Sequence, residues 1–334
     1  MKKHVYVTAP VSPKVQKWTE EYLGDVAEVH FFEGKEGHDK YLPIADALIA
    51  IAPEGASKEM LDKAPNCVYI AKYAAGFDDV DLAEATRRGI PVGTVSGTNA
   101  RSVAEYALTM ILCLYKQMVK AHNGLAQEGK WLKTVLRDDC YELTGKTVGI
   151  IGMGNIGRNL ATLLQGFSCT ILYYDVFQQP AEKEKELGVR FCELDELLTQ
   201  SDVVSIHCAL TAETRNLIAK RELLMMKPKA ILVNAARGPI VNEEDLVEVL
   251  KTGHLLGVGI DAWTTEPATK DNPLCQFDNV LVSPHNAGGT VEALAKNVGY
   301  SCINIHSMLA EGKLTAPLNL VQIRNPEVLP GLLK

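Results

Sequence analysis

Three separated stretches of this chain follow an apolar run with a group capable of acid–base or electrostatic chemistry. "ILVNAARG" ends in Arg237, "GVGIDAWTTEP" carries Asp261 and Glu266, and "NVLVSPHNAGGT" contains His285. Singly, each has an ordinary explanation. An arginine after a strand commonly swings to solvent or pairs with a surface carboxylate, and a histidine after a proline is commonly a turn residue. Together they have a chemistry. Hydride transfer to a ketone builds negative charge on oxygen, which calls for a proton donor working near neutral pH. An imidazole beside a carboxylate is such a donor, because the carboxylate favours the charged ring and fixes its orientation. A guanidinium can hold a substrate carboxylate and polarise the carbonyl next to it.

A fourth stretch supplies a place for a cofactor. Gly152-Met153-Gly154-Asn155-Ile156-Gly157 lies between the apolar run "TVGII" and the helical pattern "NIGRNLATLLQG". Such a loop gives a tight turn at the first glycine, backbone approach to a pyrophosphate at the second, and close helix packing at the third. The helix N-terminus adds unpaired N–H groups and a positive dipole end. Asp175 ends the next strand, 18 residues after Gly157, where a carboxylate meets the adenosine ribose. Val176-Phe177-Gln178 offer no arginine for a 2′-phosphate, so NAD is expected rather than NADP. By itself the glycine loop is weak; its strand–turn–helix setting strengthens it.

These groups need a scaffold that brings strand ends together. The first hundred residues alternate apolar runs ("HVYVTA", "AEVHFF", "ALIAIA", "CVYIAKY", "IPVGTV") with helix-like pieces ("SPKVQKWTEEYL", "SKEMLDKA", "VDLAEATRRG"). A second series follows: "TVGII", "CTILYYD", "VRFCE", "DVVSIHCA", "AILVNAA", "LLGVGIDAW" and "NVLVSPH", with helices between most of them. Apolar runs without strict alternation, separated by helices, indicate parallel sheets covered on both faces. In such sheets ligands bind beyond the carboxyl ends of the strands. Val103 to His122 reads as one long, mostly apolar helix that needs partners on several sides. A further helix is expected from Thr290 to about Gly312, followed by a Pro-bearing tail.

Bulk properties narrow the classes. A chain of 334 residues suggests two domains, and 47% hydrophobic with 22% charged residues is ordinary for a globular protein. A net charge of −7 gives no footprint for nucleic acid. The eight cysteines are scattered without a C-x-x-C pair, which suits a reducing compartment, and no metal site is expected. Pro10 and Pro13 interrupt the N-terminal segment before a signal-length apolar run develops, and no run long enough to span a membrane occurs. A cytoplasmic protein without membrane contact is expected.

With these motifs in order, the sequence resembles the NAD-dependent D-2-hydroxyacid dehydrogenases over most of its length. The likeness rests on "GMGNIG" with Asp175, "HCALTAET", "NAARGPIVNEEDLVEVL", "GIDAWTTEP" and "PHNAGGT". It implies that Arg237 binds substrate, Glu266 assists, and His285 is the general acid/base. Asn155, Ile156, His207, Ala235 and Asp261 would line the NAD site with Gly152, Gly154, Gly157 and Asp175. "YAAGFDDVD" would hold the substrate carboxylate on the amides around Ala75 and Gly76. Ala209 replaces a usual proline, and Asp79 stands where asparagine is common.

The expected fold is α/β, two Rossmann-like or flavodoxin-like doubly wound parallel-sheet domains with a cleft between them. Residues 1–99 would bind substrate, 100–290 would bind NAD, and 291–334 would return to the first domain. The long helix from Val103 would help form a homodimer. Two other readings stay open: a formate dehydrogenase relative, a branch without the acid partner that Glu266 provides, and an NAD-sensing corepressor-like binding protein. Lys72, Tyr73, Arg101 and Trp263 fall near the expected crevice. An inward Lys72 or Arg101 would favour a phosphorylated or dicarboxylic substrate such as 3-phosphoglycerate. Otherwise hydroxypyruvate, glyoxylate or a simple keto acid fits better.

Overall fold

A computed structural model describes residues 2–74 and 76–314. Ala75 and the Pro-bearing tail from 315 onward, on which parts of the expectations above fall, lie outside the described residues. In chain order the elements are β1 (Lys3–Val7), α1 (Pro13–Leu23), β2 (Ala27–His30), α2 (Lys35–Tyr41), β3 (Ala47–Ala50), α3 (Lys58–Lys63), β4 (Tyr69–Lys72), α4 (Leu82–Arg87) and β5 (Val92–Gly93). There follow α5 (Ala100–Tyr115), α6 (Met118–Ala126), β6 (Thr147–Ile151), α7 (Asn155–Leu164), β7 (Thr170–Tyr174), α8 (Ala181–Leu187), β8 (Val189–Phe191) and α9 (Leu194–Gln200). The series closes with β9 (Val203–Ile206), α10 (Lys220–Met225), β10 (Ile231–Asn234), α11 (Glu243–Lys251), β11 (Gly257–Ile260), β12 (Val280–Val282) and α12 (Val291–Glu311). Compact units divide the described residues, one drawn from Met1–Asn99 and Thr290–Lys334, the other from Ala100–Gly289.

In the first unit the sheet order is β2-β1-β3-β4-β5, all parallel. One face is covered by Met60 and Leu61 of α3 and Ala85 of α4. The other is covered by Val15 and Leu23 of α1 and by Val298, Cys302, Ile305 and Met308 of α12. Thr290 caps α12 by accepting from the Ala293 N–H, and Gly312 ends it at φ +67°. Asn304 of α12 donates to the Tyr69 hydroxyl at 3.1 Å, so a polar bond inside the core fixes this helix against β4.

In the second unit the order is β12-β11-β10-β9-β6-β7-β8, again all parallel, with the strand order reversing between β6 and β9. Leu197 and Leu198 of α9, Leu223 of α10 and Leu246 and Leu250 of α11 fill one face. Ala107, Ile111 and Tyr115 of α5, Leu160 and Leu164 of α7 and Leu187 of α8 fill the other. Both sheets therefore have the two buried faces that their continuous apolar runs require.

Two local expectations need correction. The helix expected from Val103 to His122 is two helices, α5 and α6, because Gln117 turns left-handed at φ +47°. No glycine or proline marks this break. It is held tertiarily: the Gln117 side chain donates to the Asp139 carbonyl at 3.0 Å, and the Tyr141 N–H donates to the Tyr115 carbonyl at 2.9 Å. The helix α2 was not legible either, since "KEGHDKY" has almost no apolar periodicity.

Candidate active site

The site elements of the second unit gather at the carboxyl ends of adjacent strands. Beyond β6 lies the glycine loop, beyond β9 His207, beyond β10 Arg237, beyond β11 Asp261, and beyond β12 His285. The order reverses between β6 and β9, and such a switch point is where open α/β sheets receive dinucleotides. There the His207 N–H donates to the Ile151 carbonyl at 2.7 Å.

The glycines have distinct reasons. A Cβ at Gly157 would stand 2.2 Å from the Gly152 carbonyl oxygen, so helix α7 can pack this closely only without a side chain. A Cβ at Gly154 would meet nothing within 4 Å. The fold does not need glycine at 154; a group approaching from outside does. Asp175 draws the loop to β7, accepting from the Met153 N–H at 2.7 Å and the Phe177 N–H at 3.2 Å. Each oxygen keeps acceptor capacity for a ribose hydroxyl. Buried His207 bonds to Ser205 Oγ through Nε2 at 2.8 Å, while its Nδ1 has no partner among the described residues. Burial pushes its pKa down to about 4, so the ring stays neutral. An orphaned buried nitrogen and an open glycine at the switch point fit a dinucleotide. Ile156 and Ala235 pack with Val103 and Ala287 on an apolar wall. Asn155 opens α7, its side chain accepting from Arg158 at 3.0 Å.

The imidazole–carboxylate pair expected from the sequence is in contact. Both carboxylate oxygens of Glu266 lie close to His285 Nδ1, at 2.9 and 2.8 Å. Glu266 is oriented in turn by the Trp263 N–H at 3.0 Å. His285 has φ +50°, a left-handed turn that costs about 1–2 kcal/mol for a side chain of this kind. Asp261 holds that turn. Its carboxylate, 1% exposed, accepts from Ser283 Oγ at 2.6 Å, from the Asn286 N–H at 2.8 Å and from the Ala287 N–H at 2.9 Å. Its carbonyl accepts from the His285 N–H at 2.9 Å. Trp263 adds an indole N–H to the Ser283 carbonyl at 2.9 Å.

Arg237 follows β10 on a turn built by Asn234, whose side chain accepts from the Ala236 N–H at 3.1 Å and donates to the Arg237 carbonyl at 2.9 Å. The guanidinium donates to the Ala236 carbonyl at 2.8 Å. A Cβ on Gly238 would fall 2.0 Å from the Trp263 carbonyl carbon. Glycine there lets the arginine turn press directly on the Trp263–Glu266 loop. Asn234 and Ser283 escaped attention in the sequence, although an asparagine closing "ILVN" is a recognisable turn signal, and Trp263 was expected near the crevice but not as the support of Glu266. In the first unit Gly76 is half-buried, and Ala75 beside it is not described. Lys72 is 3% exposed and pairs with Asp79 at 2.6 Å. Arg101, in α5 of the second unit, is exposed and pairs with Glu105.

Comparison with known proteins agrees with this geometry. The family model described as D-isomer specific 2-hydroxyacid dehydrogenase, NAD binding domain, matches residues 108–287. The chain is 33% identical over 340 residues to a glyoxylate reductase of Korarchaeum cryptofilum (strain OPF8), covering 99% of this chain and 96% of that protein. A D-3-phosphoglycerate dehydrogenase of Mycobacterium tuberculosis is 36% identical over 286 residues, 85% of this chain and 53% of that protein. The crystal structure of an NAD-dependent formate dehydrogenase from Staphylococcus aureus in complex with NAD overlays with a TM-score of 0.81 at 32% identity, covering 92% of this chain and 96% of that one. Fold and cofactor site define an NAD-dependent oxidoreductase of two parallel-sheet α/β domains. The chain belongs to the D-2-hydroxyacid dehydrogenase family, and its reaction is hydride transfer between NAD(H) and a 2-hydroxy or 2-keto acid.

Proposed function

We propose that this enzyme reduces a small monocarboxylic 2-keto acid of the glyoxylate or hydroxypyruvate kind, with Arg237, Glu266 and His285 as its catalytic residues. The observation that carries the proposal is the two-oxygen contact of Glu266 with His285 Nδ1, on a loop wedged against the Arg237 turn. Bound reduced nicotinamide supplies the hydride. With Nδ1 turned to Glu266, Nε2 is the ring nitrogen that meets the substrate oxygen and gives it a proton. Arg237 grips the substrate carboxylate in a planar fork and draws charge toward the carbonyl oxygen beside it. Ala75 and Gly76 are carried as further substrate-binding residues on the resemblance alone. Gly152, Gly154, Asn155, Ile156, Gly157, Asp175, His207, Ala235 and Asp261 line the cofactor site. The unit of residues 1–99, with the return of 291–334, carries the substrate loop, and residues 100–290 carry NAD.

Substrate size and charge follow from two basic side chains, Lys72 of the first unit and Arg101 of the second. Lys72 is buried, but Asp79 matches its charge, and Arg101 is spent on Glu105 at the surface. Neither offers an unmatched cation for a second anionic group, which disfavours a phosphorylated acid. Steady-state rates with NADH and glyoxylate, hydroxypyruvate, pyruvate and phosphohydroxypyruvate test this. We expect kcat/KM for the first two to exceed the phosphorylated acid by at least about tenfold, the worth of one charge-assisted contact. The reverse order overturns the substrate reading. Absence of turnover with every acid returns weight to the NAD-sensing reading, and oxidation of formate to the formate dehydrogenase reading.

The proposed assembly is a homodimer. Exposed Met118, Val119, Leu125, Trp131 and Val135, on and after α6, give a second copy of the chain an apolar surface to cover. The proposed compartment is the cytoplasm, supported by eight free thiols without a disulfide. No helix among the described residues is long and apolar enough to cross a membrane, and the net charge of −7 gives no pull toward nucleic acid or anionic lipid.

A further inference from the structure

The first unit carries a group of ligating side chains that hydride transfer does not use. Edge strand β2 pairs in parallel with β1, with His4 opposite Glu28 and Tyr6 opposite His30. Strand side chains alternate, so Glu28 and His30 stand on one face of β2 with His4 beside them. His4 Nδ1 and His30 Nε2 are 3.0 Å apart, and a Glu28 carboxylate oxygen lies within 4.8 Å of both. The two imidazoles stack at a centroid distance of 5.3 Å, and His30 also stacks on Tyr41 at 4.4 Å. The His4 backbone is fixed as well, its N–H donating to Asp46 at 2.8 Å.

We propose that His4, Glu28 and His30 form a binding site for one divalent transition cation of the zinc class. Two imidazole nitrogens and a carboxylate suit zinc, cobalt or nickel, whereas calcium and magnesium prefer an all-oxygen shell. Ligands at 2.0–2.1 Å on a tetrahedral ion stand roughly 3.3 Å apart. The two nitrogens are already within a few tenths of an ångström of that bite. A contact this short between two imidazoles needs a ring proton as the bridge. The cation replaces that bridge: the donating ring shifts to its other neutral tautomer, with its proton on the nitrogen away from the ion, and both facing nitrogens bind as neutral ligands. The ligands are partly exposed, so water completes the shell. Bound there, the ion ties edge strand β2 to β1. No local pattern signals the site, because His4 lies far from the Glu28-x-His30 pair in the chain, and no metal was expected.

The test uses the full-length enzyme, stripped with chelator and titrated with zinc or cobalt chloride without NAD. We expect one ion per chain and a rise in Tm. Cobalt should give the visible spectrum of nitrogen and oxygen ligands without a thiolate charge-transfer band. Glu28→Gln, His4→Gln and His30→Phe, which keeps a ring on Tyr41, should each weaken binding by at least the roughly 10–100-fold that loss of a supporting partner costs. Their metal-free kcat/KM for keto acids should match the unaltered enzyme. A thiolate band, absence of saturable binding, or variants that bind as the parent does would each overturn the site and leave His4 and His30 a hydrogen-bonded pair.

Discussion

Asp261 is the residue on which the acid–base geometry depends most, although it does not touch the His285 ring. Its buried carboxylate accepts three donors, Ser283 Oγ and the N–H groups of Asn286 and Ala287, which flank His285 on both sides. Asp261→Asn keeps the size but turns one acceptor oxygen into an NH2 donor. In its better orientation the amide oxygen serves Ser283 and Asn286, and the NH2 then faces the Ala287 N–H. One buried N–H left unpaired costs about 1–3 kcal/mol. Loss of the negative charge weakens the other two bonds, so the total is about 2–4 kcal/mol. The turn that carries His285 at φ +50° then relaxes. A displacement of about 1 Å at a reacting group costs on the order of 100-fold in rate. We expect Asp261→Asn to lower the urea midpoint and to reduce kcat/KM about 100-fold, with Asp261→Ala worse in both. Urea unfolding, keto-acid kinetics and NADH fluorescence titration on the same preparations make the check. An unchanged urea midpoint with weakened NADH binding would refute the reasoning and make Asp261 a cofactor contact only.

Arg237→Lys should retain charge yet lose roughly two to three decades in kcat/KM, because a point charge cannot reproduce the bidentate fork, with NADH affinity nearly unchanged. Near-normal kinetics with earlier unfolding would make Arg237 a structural residue. Gly154→Ala should leave the unfolding midpoint unchanged and weaken NADH binding, since its Cβ enters open space, whereas Gly157→Ala should destabilise the chain itself through the 2.2 Å clash. Equal effects of the two on stability would remove the case for a ligand at Gly154. His207, with a pKa pushed down to about 4, gives a pH signature. Below pH 6.5 the unfolded chain takes up a proton that the folded one refuses. Stability is therefore full above pH 6.5 and falls as pH drops toward about 4, by about 3 kcal/mol from this residue. His207→Gln should flatten the stability profile over that window relative to the parent, measured by urea unfolding at several pH values. Parallel profiles would mean that His207 does not titrate differently in the two states.

Much of the fold is local and could be read along the chain. Apolar runs such as "ILVN" and "TVGII" become buried strands because every second side chain must face one of two covered faces. The glycine loop declares itself because its reasons lie within six residues: a turn, an open approach and a close helix. Helix ends were legible where Thr290 caps and Gly312 stops. Other features arise from groups far apart in sequence. Gln117 breaks a helix because a distant carbonyl, that of Asp139, captures its side chain. Lys72, suspected of meeting substrate, is matched by Asp79 across a loop whose conformation no local pattern fixes. That Glu266 reaches His285 Nδ1 depends on the register of β11 against β12 and on Gly238 admitting the Trp263 backbone. Residue types and turn signals are set by interactions over a few positions, so sequence alone names the chemistry. Distances between strand ends are set by sheet register and by packing summed over the whole core, and only the folded chain fixes them.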